Sequence, residues 1–303
     1  MLRPAGSWVA LPTPFDMNGE VDFDVFKSII DFHAKHATSA LLAMGSAGET
    51  TMLSIDEKRS VIRELAAYGT RKIPIFFGTT CARTEETVKL SQYAEGEDAD
   101  GVLFVVPPYV TPPDEAIYEF FLTVMSSVQI PTAIYNNPSR VGVNIEPDVV
   151  VRLSEECENF VADKEAMGNV SQISEVLSRA NQRLHVLCCD YPGYSILMPT
   201  LALGGHGAAN IGGNLIPEEM AIMGKPWQSF EDVVKSRELY FQYQPLLKLL
   251  YRITNPIMIK AGYRLLGFPV GVPRKPVPDA TAEDFKELKR VMEQQQIIAK
   301  YGR

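Results

Sequence analysis

Short apolar runs along the chain alternate with longer segments in which apolar positions recur every three or four residues. That alternation is the mark of strands followed by helices. The runs SWVAL (7–11), ALLAM (40–44), IPIFF (73–77), GVLFVV (101–106), PTAIY (131–135), FVA (160–162), HVLCC (185–189) and HGAANI (206–211) read as strands. Helical periodicity fills 23–36, 56–68, 85–96, 114–127, 146–154, 169–180 and 193–203. Ser54-Ile55-Asp56-Glu57 and Thr84-Glu85-Glu86 supply helix start signals. Eight strands at this regular spacing predict an α/β fold, a (β/α)8 TIM barrel. An open, doubly wound sheet is the rival, weakened because no GxGxxG follows the first strand.

Beyond residue 228 the pattern is helical only, at 229–250, 255–266 and 281–299, with Pro273, Pro276 and Pro278 punctuating the last connection. The chain therefore divides into a barrel carrying the site (1–228) and a C-terminal helical extension (229–303) packed on it. Composition narrows the partners. The 303 residues are 46% hydrophobic and 22% charged, the balance of an ordinary globular protein. With 29 Lys+Arg against 37 Asp+Glu the net charge is −8, which argues against nucleic acid or an anionic membrane as main partner. The first residues lack the apolar core of a signal peptide, and no apolar run approaches the ~20 residues of a membrane span. Cys81, Cys157, Cys188 and Cys189 lack metal-ligand spacing, and the adjacent pair cannot close an ordinary disulfide, so a reducing cytoplasm is expected. His33 and His36 fall in a polar helical stretch without an acidic cluster, so no metal site is expected there.

Chemistry in a barrel gathers where strands end at their C-terminal side. Gly45-Ser46-Ala47-Gly48-Glu49-Thr50 follows the second strand, and its small residues let backbone N–H groups approach a carboxylate. Taken alone it is also an ordinary glycine-rich turn. Pro107-Pro108-Tyr109 follows the fourth strand, and Tyr135-Asn136-Asn137-Pro138-Ser139-Arg140-Val141-Gly142 runs on from the fifth. The sixth strand leads into Asp163-Lys164-Glu165-Ala166, where Lys164 is either chemically active or ion-paired to Asp163 or Glu165. Tyr135 and Lys164 are one βα unit apart, which places them on neighbouring strand ends. A lysine beside a phenol, across from an anion-binding turn, suits imine chemistry on a 2-oxo acid. Such an amine attacks only when neutral, a state that an unperturbed lysine of pKa ~10.4 rarely reaches at pH 7 and that desolvation favours.

These ordered motifs, with GGHGAANIGGN and NPIMIKAG further on, resemble the dihydrodipicolinate synthase / N-acetylneuraminate lyase family of class I aldolases over residues 7 to about 280. The resemblance implies a Schiff-base lyase acting on pyruvate or a related 2-oxo acid, with no cofactor beyond the covalent imine. By the family's pattern Lys164 forms that imine and Tyr135 shuttles protons. Ser46 relays protons between Tyr135 and Tyr109, and the Ser46-Ala47 backbone holds the substrate carboxylate. Ala209 lines the other side of the imine. Tyr109 reaches into a neighbouring subunit's site in many members, which implies a homo-oligomer, a dimer or the family's habitual tetramer. Arg140 matches the residue that grips the carboxylate of aspartate semialdehyde, so the nearest named activity is 4-hydroxy-tetrahydrodipicolinate synthase.

Two departures bear on substrate. Ser46-Ala47 replaces a pair of threonines and deletes one hydroxyl, and Pro108, Val110 and Thr111 surround Tyr109 in place of polar or aromatic neighbours. AANIGGN also stands where the family has a serine-containing version. Within the class, the alternative is an aldolase or dehydratase for a 2-oxo-3-deoxy sugar acid. From other classes come a barrel that binds small acids without turnover, and a metal-dependent aldolase, which the four histidines disfavour.

Overall fold

Parallel strands covered on both faces must be apolar throughout, and the short runs meet that demand. The computed structural model describes residues 2–69, 72–189 and 193–303. In it the runs form β1 (Gly6–Ala10), β2 (Ala40–Ala43), β3 (Ile75–Gly78), β4 (Gly101–Phe104), β5 (Thr132–Asn136), β6 (Phe160–Glu165), β7 (His185–Cys189) and β8 (Gly207–Asn210). All are buried along their length except at His185. They pair in chain order, all parallel, and β8 closes on β1. The predicted (β/α)8 barrel is the observed fold, and closure excludes the open sheet.

Gly207 makes the seam between β8 and β1 possible. At φ +154° its Cα lies so close to β1 that a Cβ would sit 2.1 Å from the Gly6 carbonyl oxygen. Asn210 stitches the same seam, donating to Ser7 Oγ (2.9 Å) while its side-chain oxygen accepts from Gly213 N–H (2.8 Å). The AANIGGN segment thus closes the cylinder.

Several boundaries differ from expectation. β6 runs three residues past the predicted 160–162, because ladder pairing to β5 and β7 continues after the apolar run stops. Lys164 consequently lies inside the strand, not after it. The predicted helix 193–203 is only Leu197–Ala202, and 281–299 divides into Ala282–Gln294 and Ile297–Tyr301 where Gln296 adopts φ +57°. Helix Pro217–Met223, ahead of the expected boundary at 228, and the single turn Pro138–Val141 had no periodic signal long enough to see.

The C-terminal helices Phe230–Leu250 and Ile257–Leu265 pack on the barrel with the last two. Tyr263 shows how tightly. His33, read as part of a polar helical stretch, is wholly buried, its Nε2 3.1 Å from Tyr263 Oη and its Nδ1 2.9 Å from Thr38 Oγ1. Tyr263 in turn donates to Asn214 Oδ1 at 2.9 Å, beyond the end of β8. With that proton committed, His33 donates from Nε2, and its Nδ1 faces the Thr38 hydroxyl, which can donate to a neutral ring. Burial lowers the His33 pKa to about 3, aided by the nearby His36. The unfolded chain then binds a proton that the folded chain refuses, so stability falls as pH drops from about 6.5 toward 3. His33 should contribute up to about 1.4 kcal/mol per pH unit in that window. Denaturant unfolding of the protein and of His33→Gln should give a shallower acid slope for the variant; parallel slopes would contradict this account.

Candidate active site

The C-terminal ends of the strands open into a cavity of about 330 Å³, within the range of small-molecule sites. Ser46, Thr80, Tyr135, Asn137, Arg140 and Asn255 contribute to its wall. The register of β5 on β6 sets Tyr135 directly opposite Lys164, as their spacing predicted. Lys164 is 6% exposed, and its Nζ stands 4.0 Å from the centre of the Tyr135 ring. It does not itself line the open cavity but lies against a residue that does.

The ion-pair alternative for Lys164 fails: neither flanking carboxyl bridges to it among the described residues. Asp163 is fully buried with both oxygens unpartnered, and burial together with the nearby Glu165 holds its pKa well above the carboxylate range. Glu165 accepts from Asn136 Nδ2 (3.1 Å), Met167 N–H (2.5 Å) and Gln172 Nε2 (2.8 Å). Burial still pushes its pKa up to about 7.

Tyr135 is likewise buried, which lifts its phenol pKa well above the usual value. Its oxygen accepts from Asn137 Nδ2 at 2.5 Å and lies 3.6 Å from Cys189 Sγ. No hydrogen bond joins it to Ser46 among the described residues, so the expected Tyr135–Ser46 contact is absent. Ser46 is half-buried on the cavity wall, and Ala47 is fully buried behind it. Neither residue's N–H has a protein partner among the described residues, which leaves two adjacent donors for an anion. Arg140 is exposed at the cavity rim. Ala209 is buried on β8, opposite Cys189 of β7 and Trp8 of β1, and is not part of the cavity lining. Tyr109 is 97% exposed, at φ +81°, and lies outside the cavity. Within one chain, therefore, Tyr109 does not join Tyr135 and Ser46.

Sequence reasoning quoted GSAGE and NPIMIKAG but missed what joins them. Glu49 Oε1 lies 2.7 Å from Lys260 Nζ, and both side chains are fully buried. Glu49 also accepts from Arg274 N–H at 2.7 Å, and Thr13 Oγ1 donates to the Gly48 carbonyl at 2.7 Å. The turn bearing Ser46 and Ala47 is thus clamped by Lys260 and Arg274 from the C-terminal part and by Thr13 from the other end of the chain. Desolvation outweighs the attraction of Glu49 and draws the Lys260 pKa down to about 8. Asn255, in the same motif, is buried on the cavity wall with its side-chain oxygen unpartnered. No helix among the described residues is long and apolar enough to cross a membrane.

The comparisons agree over nearly the whole chain. The 4-hydroxy-tetrahydrodipicolinate synthase of Aquifex aeolicus is 36% identical over 288 residues, covering 95% of this chain and 96% of that protein. Its namesake in Methanocaldococcus jannaschii is 35% identical, covering 95% and 97%. The crystal structure of dihydrodipicolinate synthase from Aquifex aeolicus superposes with a TM-score of 0.91 at 35% identity, covering 97% of this chain and 98% of that one. The model of the Dihydrodipicolinate synthetase family matches residues 3–295. Agreement of sequence and fold across that span makes the chain a member of this family, and so a lyase of the class I aldolase type.

Proposed function

We propose that this chain condenses pyruvate with aspartate semialdehyde through an imine on Lys164, the reaction for which its relatives are named. The observation that carries the reading is the Lys164 amine held 4.0 Å over the Tyr135 ring, unpaired to any carboxylate, beneath a cavity with an arginine at its rim. The amine adds to the keto carbon and water departs. The protonated imine acidifies the adjacent methyl, and the resulting enamine attacks the aldehyde carbon. Tyr135 is the acid–base group within reach of those proton transfers. The Ser46 and Ala47 N–H groups receive the pyruvate carboxylate. Lys164 is itself the electron sink, so the mechanism calls for no bound cofactor.

Arg140 takes the carboxylate of the second substrate, since an exposed guanidinium offers a two-point grip on a carboxylate. Tyr109, exposed on one chain, enters the site of a second copy, giving a homo-oligomer, a dimer or tetramer. The cysteine thiols suit a reducing cytoplasm. The test is turnover of pyruvate with aspartate semialdehyde, run beside a panel of 2-oxo-3-deoxy sugar acids. Cleavage of a sugar acid with no condensation would refute the substrate assignment and leave Lys164 chemistry standing. A charge-assisted hydrogen bond is worth about 1.5–3 kcal/mol, so Arg140→Ala should lower kcat/KM for the semialdehyde about 10- to 150-fold. Trapping of pyruvate by borohydride should be unaffected by that change.

A further inference from the structure

Cys189 is the last residue of β7, opposite Ala209 of β8, and one strand along from the Lys164-bearing β6. It is 2% exposed, and its Sγ lies 3.6 Å from the Tyr135 phenol oxygen. Either atom of that pair could be the donor, and the other contact on the oxygen bears on which it is. Asn137 Nδ2 can only donate, and it donates to the phenol oxygen at 2.5 Å. A phenol has one proton of its own, and with the amide donating from one side that proton is left to point to the sulfur on the other. Lys164 meets the ring face and not the oxygen. The ring and its hydroxyl are therefore contacted from three sides, by the Lys164 amine, an amide and a thiol.

We propose that Cys189 is a positioning residue for Tyr135: its sulfur accepts the phenol's hydrogen bond and sets the direction in which Tyr135 gives up and recovers its proton. The proposal rests on the reading that Tyr135 serves imine chemistry at Lys164. It assigns to the thiol the contact that the sequence reading gave to the Ser46 hydroxyl. A buried cysteine is commonly a small apolar filler. The difference lies in what replaces it: serine keeps an acceptor at the same place, whereas alanine keeps most of the bulk and removes the acceptor.

The experiment compares the full-length protein with Cys189→Ala, Cys189→Ser and Tyr135→Phe, each checked for an unchanged circular dichroism spectrum. The first readout needs no substrate. The S–H stretch falls in an infrared window clear of other protein bands, and the band lost in Cys189→Ala identifies Cys189. A sulfur that only accepts leaves its own S–H stretch little changed, so that band should move slightly in Tyr135→Phe. A large upward shift would show that the thiol is the donor and overturn the proposal. The second readout is kinetic. A single hydrogen bond is worth about 0.5–1.5 kcal/mol, so Cys189→Ala should lower kcat roughly two- to tenfold with the pyruvate KM little changed. The alkaline limb of its pH profile should move down, because the thiol raises the phenol's pKa. Cys189→Ser should recover most of the lost kcat. Equal losses in both variants, or none in either, would overturn the positioning role. Absence of a pyruvate adduct on Lys164 in the parent protein would instead refute the imine reading, and the infrared result would still judge the contact.

Discussion

Lys164→Ala should abolish both the borohydride-trapped pyruvate adduct and turnover. Pyruvate and borohydride given to the parent should add mass to the peptide containing Lys164 and to no other. The variant should keep its fold, because no carboxylate is paired to Lys164 among the described residues and its removal strands no partner charge. The sharpest rival is Lys260, also buried and with a pKa drawn down to about 8. It is held by Glu49 at 2.7 Å and by the Val272 carbonyl at 3.1 Å, and it stands apart from the cavity lining. An adduct on Lys260, or on any lysine with Lys164 untouched, would sink the assignment.

The second large effect belongs to Tyr135. A positioned acid–base group contributes about 10²–10⁴-fold, and Tyr135→Phe should forfeit that much kcat. The ring that carries Lys164 survives the change, so the pyruvate adduct should still form, though slowly. Full activity in Tyr135→Phe would rule the phenol out as proton carrier. The same relay can be tested across copies. Mixing Tyr109→Phe with Lys164→Ala protein should restore part of the activity through hybrid sites if Tyr109 serves a neighbour. Verified hybrids that stay inactive would leave Tyr109 outside the chemistry.

The barrel was legible because each strand is an apolar run and each helix a periodic one, both local signals. β6 defeated that reading at its far end, where Asp163, Lys164 and Glu165 are polar yet remain in the ladder. Tyr135 and Lys164 could be brought together from spacing alone, since neighbouring strands share one register. Arg140 announced itself within a local motif. Cys189 did not, because its contact with Tyr135 joins residues 54 apart and depends on which way two strand-end side chains turn. His33 misled for a similar reason: the partner that buries it, Tyr263, lies 230 residues away. Glu49 and Lys260 each stood in a quoted motif, but nothing local says that they touch.

Thr254, Asn255 and Val277 wall the cavity from the C-terminal segment, and Lys260 neutralises Glu49 beneath the turn. The extension is therefore no dispensable appendage. Ending the chain at residue 228 would remove one wall of the pocket and strip the Glu49 carboxylate of its Lys260 and Arg274 partners. Conversely, substitutions at Thr254, Asn255 or Val277 would alter that wall while leaving Lys164 and Tyr135 in place. The reagent thus stands on the strands while part of the wall around it comes from the C-terminal helices, and any replacement segment would have to bring a lysine to meet Glu49.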